Sequence, residues 1–523
     1  MDDALPAWIR MARSGASVLT RPLLEAVVTM LAVLATLRCT QLIAPGGGPA
    51  VLAVVLCLSL SRSHMDHDLR GRLEAAVALP LVGFVAMGVG VLLRQTPWLG
   101  AAVFTAGMFL SIWLRRFGSM TRRAGRLIAL PFIALLTVPH VRVAAGSVIP
   151  SVLVPVVVAL LSLLWVTVFH LLARRLHLLP PVVSKPTATA PAPPSTMRPS
   201  ASTRMAIQMA VALALSFVVG YLCFAERWAW IVLTTVIVNI GNRGRLDVAY
   251  KSGLRVLGAA AGTVMAMSLS FHAAGEPAAT GLWILAALFF GVWLRPLGYA
   301  WWALFVTLAL ALLQSLQPEP PSLLLWQRLE EIVIGAVIGL ASAWFVLPVR
   351  SSDVLRRRLA DALAAMSEAM DPSIPERTPV RVADALDQIR DMAAPFRTSR
   401  RLTRRFRSMQ PADWIDTLLA CRATAIDVIV RGETPGRVRQ AVGAARKSLR
   451  EPEALLPALQ RLREALDTDA QSPKPMEGTG PSSPPASTAV KPASIRTACL
   501  ATNAVATPRA RPGKRGEIHA CPP

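Results

Sequence analysis

Charge is what this chain has least of. Only 16% of its 523 residues are Asp, Glu, Lys or Arg, too few to coat a water-soluble fold of this size. Acidic residues are the scarcer kind, 31 against 55 basic, leaving a formal charge of +24. In a soluble protein that excess would suggest nucleic acid, but the Arg clusters fall between apolar runs and after the last one, and no nucleic-acid fold motif accompanies them. No nucleic-acid partner is expected. Cysteine is sparse and unpaired in spacing: Cys39, Cys57, Cys223, Cys421, Cys499 and Cys521 include no C-x-x-C, which argues against a zinc ribbon, a dithiol redox motif or a disulfide framework. Neither a phosphate-binding loop, nor a nucleophile elbow, nor a catalytic Cys/His set occurs, so direct ATP coupling and enzymatic activity are not expected, and no cofactor is implied. His64-Met-Asp-His67-Asp68 has metal-like spacing but lies in a basic loop with no further ligand nearby, and a solvated loop is the better account, with no metal. The opening Met1-Asp2-Asp3-Ala4-Leu5-Pro6 lacks the basic start and cleavage site of a secretory leader, so the first apolar run is expected to be retained.

What the chain does have is apolar runs. Twelve candidate spans are read: Leu23–Ala44, Pro49–Leu60, Leu73–Leu93, Trp98–Leu114, Leu127–Val138, Val148–Leu172, Met205–Phe224, Trp228–Ile240, Leu254–Phe271, Gly281–Leu294, Tyr299–Leu316 and Leu329–Leu347. Several fall short of the roughly 20 residues of a straight span and must recruit flanking residues. With the N-terminus inside, the loops that should be cytoplasmic carry the Lys and Arg: Arg62, Arg70 and Arg72; Arg115, Arg116, Arg122, Arg123 and Arg126; Arg174 and Arg175; Arg243, Arg245, Lys251 and Arg255; Arg295; Arg350 and Arg356–Arg358. Arg94, Arg142 and Arg227 are the exceptions. Adding or removing one span would reverse every sign downstream.

An internal repeat gives the same count. Phe109-Leu-Ser-Ile-Trp-Leu-Arg-Arg-Phe-Gly118 is matched by Phe289-Phe-Gly-Val-Trp-Leu-Arg-Pro-Leu-Gly298, and the short span Pro49–Leu60 holds the place of Trp228–Ile240. Six spans per half is an even number, so the repeats are parallel. The expected fold is an all-α polytopic membrane protein: a cytoplasmic N-terminus (1–20), a first six-helix repeat (21–179), a Pro/Ala-rich cytoplasmic linker (180–204) and a second six-helix repeat (205–349). Amphipathic patterns then predict a cytoplasmic helical domain (350–470), and a Pro/Ser/Thr/Ala-rich composition predicts a disordered tail (471–523).

Trp228-Ala-Trp-Ile-Val-Leu-Thr-Thr-Val236, the basic loop after it, and Arg255-Val-Leu-Gly-Ala-Ala-Ala-Gly262 together resemble the fusaric-acid-resistance family of bacterial inner-membrane proteins, which includes the aromatic acid exporters. Arg328-Leu-Glu-Glu-Ile-Val-Ile-Gly335, ending in Phe345-Val-Leu-Pro348, is similar to the family's closing motif. The likeness covers roughly residues 20–350, more loosely in the first half. A sizeable soluble domain stands between the halves of long family members, whereas here only the linker does. The resemblance implies export of small, often aromatic, carboxylic acids, driven by the proton gradient, with a periplasmic adaptor protein in some relatives. A homo-oligomer is compatible with it.

Short segments at matching places in both repeats point to a substrate site. Here they are Gly46-Gly-Gly-Pro49 with its span, and Trp228–Ile240. Trp228, Thr235 and Asn239 share one helical stripe, and Trp230 and Thr234 the next, a face suited to an aromatic carboxylate. The plainer reading makes the Trp residues interfacial anchors and the Thr residues packing groups. Arg38, deep in the first span, would pair with an anionic substrate or snorkel. Arg328, Glu330 and Glu331 are proton-coupling candidates, or an exposed interfacial cluster. Arg255 reads as an anchor at a cytoplasmic helix end. Arg397–Arg407, with six Arg, reads as a surface for the anionic leaflet or as a solvated face. The leading function is a secondary transporter exporting small organic anions. A passive anion channel and a non-transporting membrane scaffold are its rivals.

Overall fold

In the computed structural model, residues 7–62, 69–117, 149–150, 153–178, 201–224, 227–272, 277–314, 321–374, 379–405, 410–432 and 435–471 are described, with scattered positions between 121 and 136. Arg142, the His64–Asp68 loop, the linker 180–200 and the tail 472–523 lie outside them.

Every regular element among the described residues is helical. The apolar part comprises α1 (Ala7–Ile43), α2 (Gly47–Arg62), α3 (Leu69–Gln95), α4 (Pro97–Trp113), α5 (Val154–Arg175), α6 (Ala201–Cys223), α7 (Trp228–Asn239), α8 (Arg245–His272), α9 (Pro277–Leu294), α10 (Tyr299–Gln314) and α11 (Pro321–Phe345). The described residues between 121 and 136 are helical too. Among the described residues, six segments are able to cross a bilayer by length and composition: Leu19–Ile43, Pro97–Arg116, Val154–Arg175, Ser202–Cys223, Arg245–Leu269 and Ala279–Leu297. Shorter apolar helices, Trp228–Asn239 among them, stand between these. Helix α6 starts at Ala201, inside the stretch that reads as linker.

Packing inside this bundle joins small and hydroxyl side chains to buried aromatic and aliphatic ones such as Phe104, Phe217 and Leu312, while Leu222, Leu257, Val264 and Leu282 point outward. Large apolar groups turned outward, with alanine, serine and threonine among the buried ones, are the pattern of a fold solvated by lipid. One close crossing shows how. A Cβ added to Gly335 of α11 would stand 2.6 Å from the Ile231 carbonyl oxygen of α7, and one on Gly339 would stand 2.7 Å from Asn239 Nδ2. This G-x-x-x-G lets two backbones approach to a distance that side chains would forbid.

Neighbours repeat in a regular way. Helices α1, α2 and α5 pack on one another as α6, α7 and α11 do, and α3 lies on α5 as α8 lies on α11. Between the halves, α1 packs on α9 and α4 on α6. Tyr221 donates to the Pro97 carbonyl at 3.2 Å, and Trp293 Nε1 to that of Leu19 at 3.2 Å, one tie at each of the two contacts.

Helices α12 (Ser351–Ala369), α13 (Val380–Arg390), α14 (Ala393–Thr403), α15 (Pro411–Ala420), α16 (Arg422–Val430), α17 (Gly436–Lys447) and α18 (Pro452–Gln471) follow. They bury a core of Leu355, Leu359, Met366, Leu386, Ile415 and Leu459 and turn their charges outward. The chain leaves α11 through Leu347, held at φ 45° while Gln208 Nε2 donates to the Val346 and Leu347 carbonyls at 2.9 and 3.1 Å. Gly244, at φ +117°, sits where a Cβ would meet Ser351 Oγ at 2.6 Å. Glycine there lets the turn between α7 and α8 seat on the start of α12, where Ser351 Oγ accepts from the Leu246 N–H at 3.0 Å.

Candidate functional site

A cavity of about 1260 Å³ lies between the two halves of the bundle. Val51, Val54 and Leu58 of α2 form one wall, and Leu233 and Ile237 of α7, with Ile240 just past its end, belong to the other. Along α10 it is lined from Tyr299 to Leu313, about 20 Å at the helical rise, a large part of a bilayer's hydrocarbon thickness. Its walls are mainly apolar, with Tyr250, Tyr299 and Trp302 among them.

Polar groups gather at one end. Arg115, Arg243, Lys251 and Arg295 line that mouth beside Asp247 and Asp391. Asp247 is occupied: it accepts from Lys251 Nζ at 2.8 Å and from the Arg243 backbone N–H at 3.0 Å. Arg243 reaches Asp391 at 3.6 Å, so the turn between α13 and α14 borders the opening, with Ala394 and Pro395. The balance is basic, and a basic cleft with low-dielectric walls concentrates anions.

The two short matched helices, α2 and α7, both face this cavity, but through their apolar stripes. The polar stripe of α7 turns instead towards neighbouring helices. Thr234, Thr235 and Asn239 are buried, and Thr235 Oγ1 is 2.7 Å from Ser216 Oγ of α6 and donates to the Gly335 carbonyl of α11 at 3.0 Å. Asn239 Nδ2 donates to the Thr235 carbonyl at 3.1 Å. Trp228 joins an aromatic cluster, its ring centroid 5.5 Å from that of Phe217 and 5.4 Å from that of Tyr221, which in turn lies 5.3 Å from Trp98 of α4. It helps pack α4 on α6. Arg38 is exposed, and its neighbours Leu37 and Gln41 line the cavity instead. That exposure fits the snorkelling alternative for Arg38.

Behind the α7 wall sits a buried charged cluster. Arg328 and Glu331 are each 1% exposed, so they are not an interfacial pair, whereas Glu330 is exposed. The Arg328 guanidinium lies 4.0 Å from the centre of the Trp230 ring, a cation–π contact. Glu331 pairs with Arg227 at 3.4 Å. Arg227 breaks the loop-charge pattern because it answers a buried carboxylate. Sequence reasoning misplaced Arg255: it is 2% exposed and lines the cavity. It stands ten residues beyond the start of α8 at Arg245, about 15 Å along the axis, whereas a span starting at Leu254 would put it at the end.

The Arg-rich stretch is also partly spoken for. Arg397 reaches Asp416 at 2.7 Å, and Arg400 reaches Asp413 at 2.6 Å and Asp416 at 2.9 Å. These hydrogen bonds raise the affinity of the Arg400 guanidinium for its proton. Arg401, Leu402, Arg404 and Arg405 stay exposed.

Residues 207–342, which run from α6 into α11, match the family model described as fusaric acid resistance protein-like. The second half of the bundle is fusaric-acid-resistance-like. That segment contains α7, Arg255, Arg328 and Glu331, and so one whole side of the cavity and the buried charged cluster. No curated protein and no solved structure matches the chain.

Proposed function

We propose that this protein is a secondary transporter that exports small organic anions, aromatic carboxylic acids in particular, by alternating movement of the two halves of its bundle coupled to proton entry. The cavity between those halves, apolar along its length and basic at one mouth, carries this reading. An aromatic carboxylate needs apolar and aromatic wall for its ring and positive potential for its charge. The fusaric-acid-resistance likeness of the second half points the same way.

Alternating movement requires two comparable units, and twelve spans in two parallel repeats would provide them. Supporting this, residues 109–118 and 289–298, an offset of 180, each end in a 3₁₀ turn, Leu114–Arg116 and Arg295–Leu297. The same offset relates Pro97 and Pro277, which open α4 and α9. The reciprocal packing of α1 on α9 and α4 on α6 supports a pseudo-twofold axis along the membrane normal. With the basic loops inside, both termini and the cavity mouth face the cytoplasm, and the membrane is the bacterial inner membrane. Helices α12–α18 then form a cytoplasmic domain. No catalysis and no cofactor enter this mechanism.

Glu331 is the group we assign to proton coupling. A buried carboxylate held by Arg227, with Arg328 one turn before it, gains or loses a partner as it is protonated, which biases the packing of α11. Efflux of benzoate and salicylate from proteoliposomes, with and without an imposed pH gradient, tests the reading. Acceleration by the gradient is expected, and Glu331→Gln should keep downhill flux while losing that acceleration. Flux indifferent to the gradient would assign a passive channel instead, and no flux of any acid would discard transport altogether.

A further inference from the structure

We infer that Arg255 is the carboxylate-binding residue of the cavity, the point at which an organic anion is held part-way through the membrane. The inference rests on the reading of the cavity as the path of such an anion, and adds the site within it.

The observation is an imbalance of buried charge. Among the described residues, the acids near the cavity that could neutralise a cation are already engaged: Asp247 with Lys251, Asp391 with Arg243, and Glu331 with Arg227. Arg255 is 2% exposed, and its Nε, fully buried, has no hydrogen-bond partner. It also lies within electrostatic range of a second buried guanidinium, that of Arg328 on the adjoining helix. A buried cation without an acid, set near another cation, is costly to hold. An anion in the cavity offsets that cost, and a guanidinium offers a carboxylate two parallel N–H donors.

The surroundings fit the rest of the ligand. Tyr250, Tyr299 and Trp302 line the same cavity and present aromatic surface for a ring. Glycine spacing fixes the helix that carries Arg255. A Cβ on Gly258 would meet Ala303 Cβ at 2.7 Å, and one on Gly262 would meet the Leu304 carbonyl oxygen at 2.5 Å. Helix α8 is thereby seated tightly on α10, which bears Tyr299 and Trp302. Arg328, stacked on Trp230 behind the wall, is a positioning residue that keeps the local potential positive.

The test uses the full-length protein in nanodiscs with benzoate as probe, its binding measured by equilibrium dialysis. Saturable binding is expected for the wild type. Arg255→Met should weaken it by about tenfold or more, Arg255→Lys by less because one donor and the charge remain, and Arg357→Gln, which removes an exposed charge elsewhere, should leave it unchanged. Should Arg255→Met fail to fold, the wild type alone decides: benzoate should slow the modification of Arg255 by phenylglyoxal, read by peptide mass spectrometry. Wild-type affinity in a folded Arg255→Met protein, or modification of Arg255 at the same rate with and without benzoate, would overturn the assignment. Benzoate flux unaffected by Arg255→Met sinks this site and leaves the transport reading standing. Binding that depends on Arg255 without any flux does the reverse.

Discussion

The apolar bundle and the helices that follow it solve the same problem in opposite ways. In the bundle, Leu222, Leu257 and Leu282 are exposed while Ala212, Ser216, Thr235 and Thr307 are buried. In the C-terminal helices, Leu359, Leu386, Ile415 and Leu459 are buried and the exterior is laced with ion pairs such as Arg400–Asp413 and Arg422–Asp387. Helical packing is common to both, and the solvent differs. Lipid gives no incentive to hide every leucine, so the bundle also gains cohesion from close backbone approach and from cross-helix hydroxyl pairs such as Ser216–Thr235. Water does give that incentive, and the C-terminal helices have a conventional core.

The contrast is sharpest at glycine. Gly335→Leu should prevent the bundle from assembling, at more than about 3 kcal/mol, because the clash is with backbone. Gly443→Ala in α17, where an added Cβ meets nothing within 4 Å, should instead stabilise by about 0.5–1 kcal/mol. Yield of monodisperse protein and thermal unfolding measure the pair, and equal tolerance at both sites would erase the distinction.

Surface charge comes next. Leu257→Arg places a cation on the outward face of α8 and should cost about 2.5–3.5 kcal/mol. Val430→Arg, at an equally exposed position of α16, should change stability by less than about 0.5 kcal/mol. If Leu257→Arg proves as harmless as Val430→Arg, the face of α8 is not in lipid. A smaller effect belongs to the ion pairs. Asp416→Ala removes a partner from both Arg397 and Arg400, half-exposed groups screened by solvent, and should cost about 1 kcal/mol, falling with added salt.

The smallest effect expected is none at all. Burial pushes the Cys421 thiol up to about 12, far above the 9 of a free thiol, so it should resist iodoacetamide at pH 8 in the folded protein. Below pH 9 folded and unfolded states both keep the proton, and this group leaves stability flat. Between pH 9 and 12 the unfolded state alone releases it, so stability should fall as pH rises. Rapid alkylation at pH 8 would contradict the buried setting of α15 and α16.

Much of the layout was legible in the chain. The apolar runs that fall on described residues, the matched Trp-Leu-Arg elements and the family motifs from Trp228 to Gly335 coincide with helices found in the structure, while much of the run Leu127–Val138 lies outside the described residues. What escaped was the azimuth and extent of individual helices. Helix α7 has two defensible faces, and only the glycines of α11, a hundred residues away, decide that Thr235 and Asn239 turn away from the cavity. Helix α8 begins in polar sequence at Arg245, so hydropathy cut it short and made Arg255 look terminal. The Arg227–Glu331 pair joins residues from separate helices, and spacing along the sequence carries no trace of it. Arg397 and Arg400 likewise found partners on α15 that composition could not name.

The central claim, that solute moves through the cavity between the halves, is tested most directly by cysteine accessibility during benzoate flux. With the native cysteines replaced, Ile237→Cys on the cavity wall should be modified by an anionic methanethiosulfonate, with flux blocked and benzoate protecting, while Thr235→Cys on the opposite face of α7 should be unaffected. Block at Thr235→Cys with Ile237→Cys untouched would contradict the account.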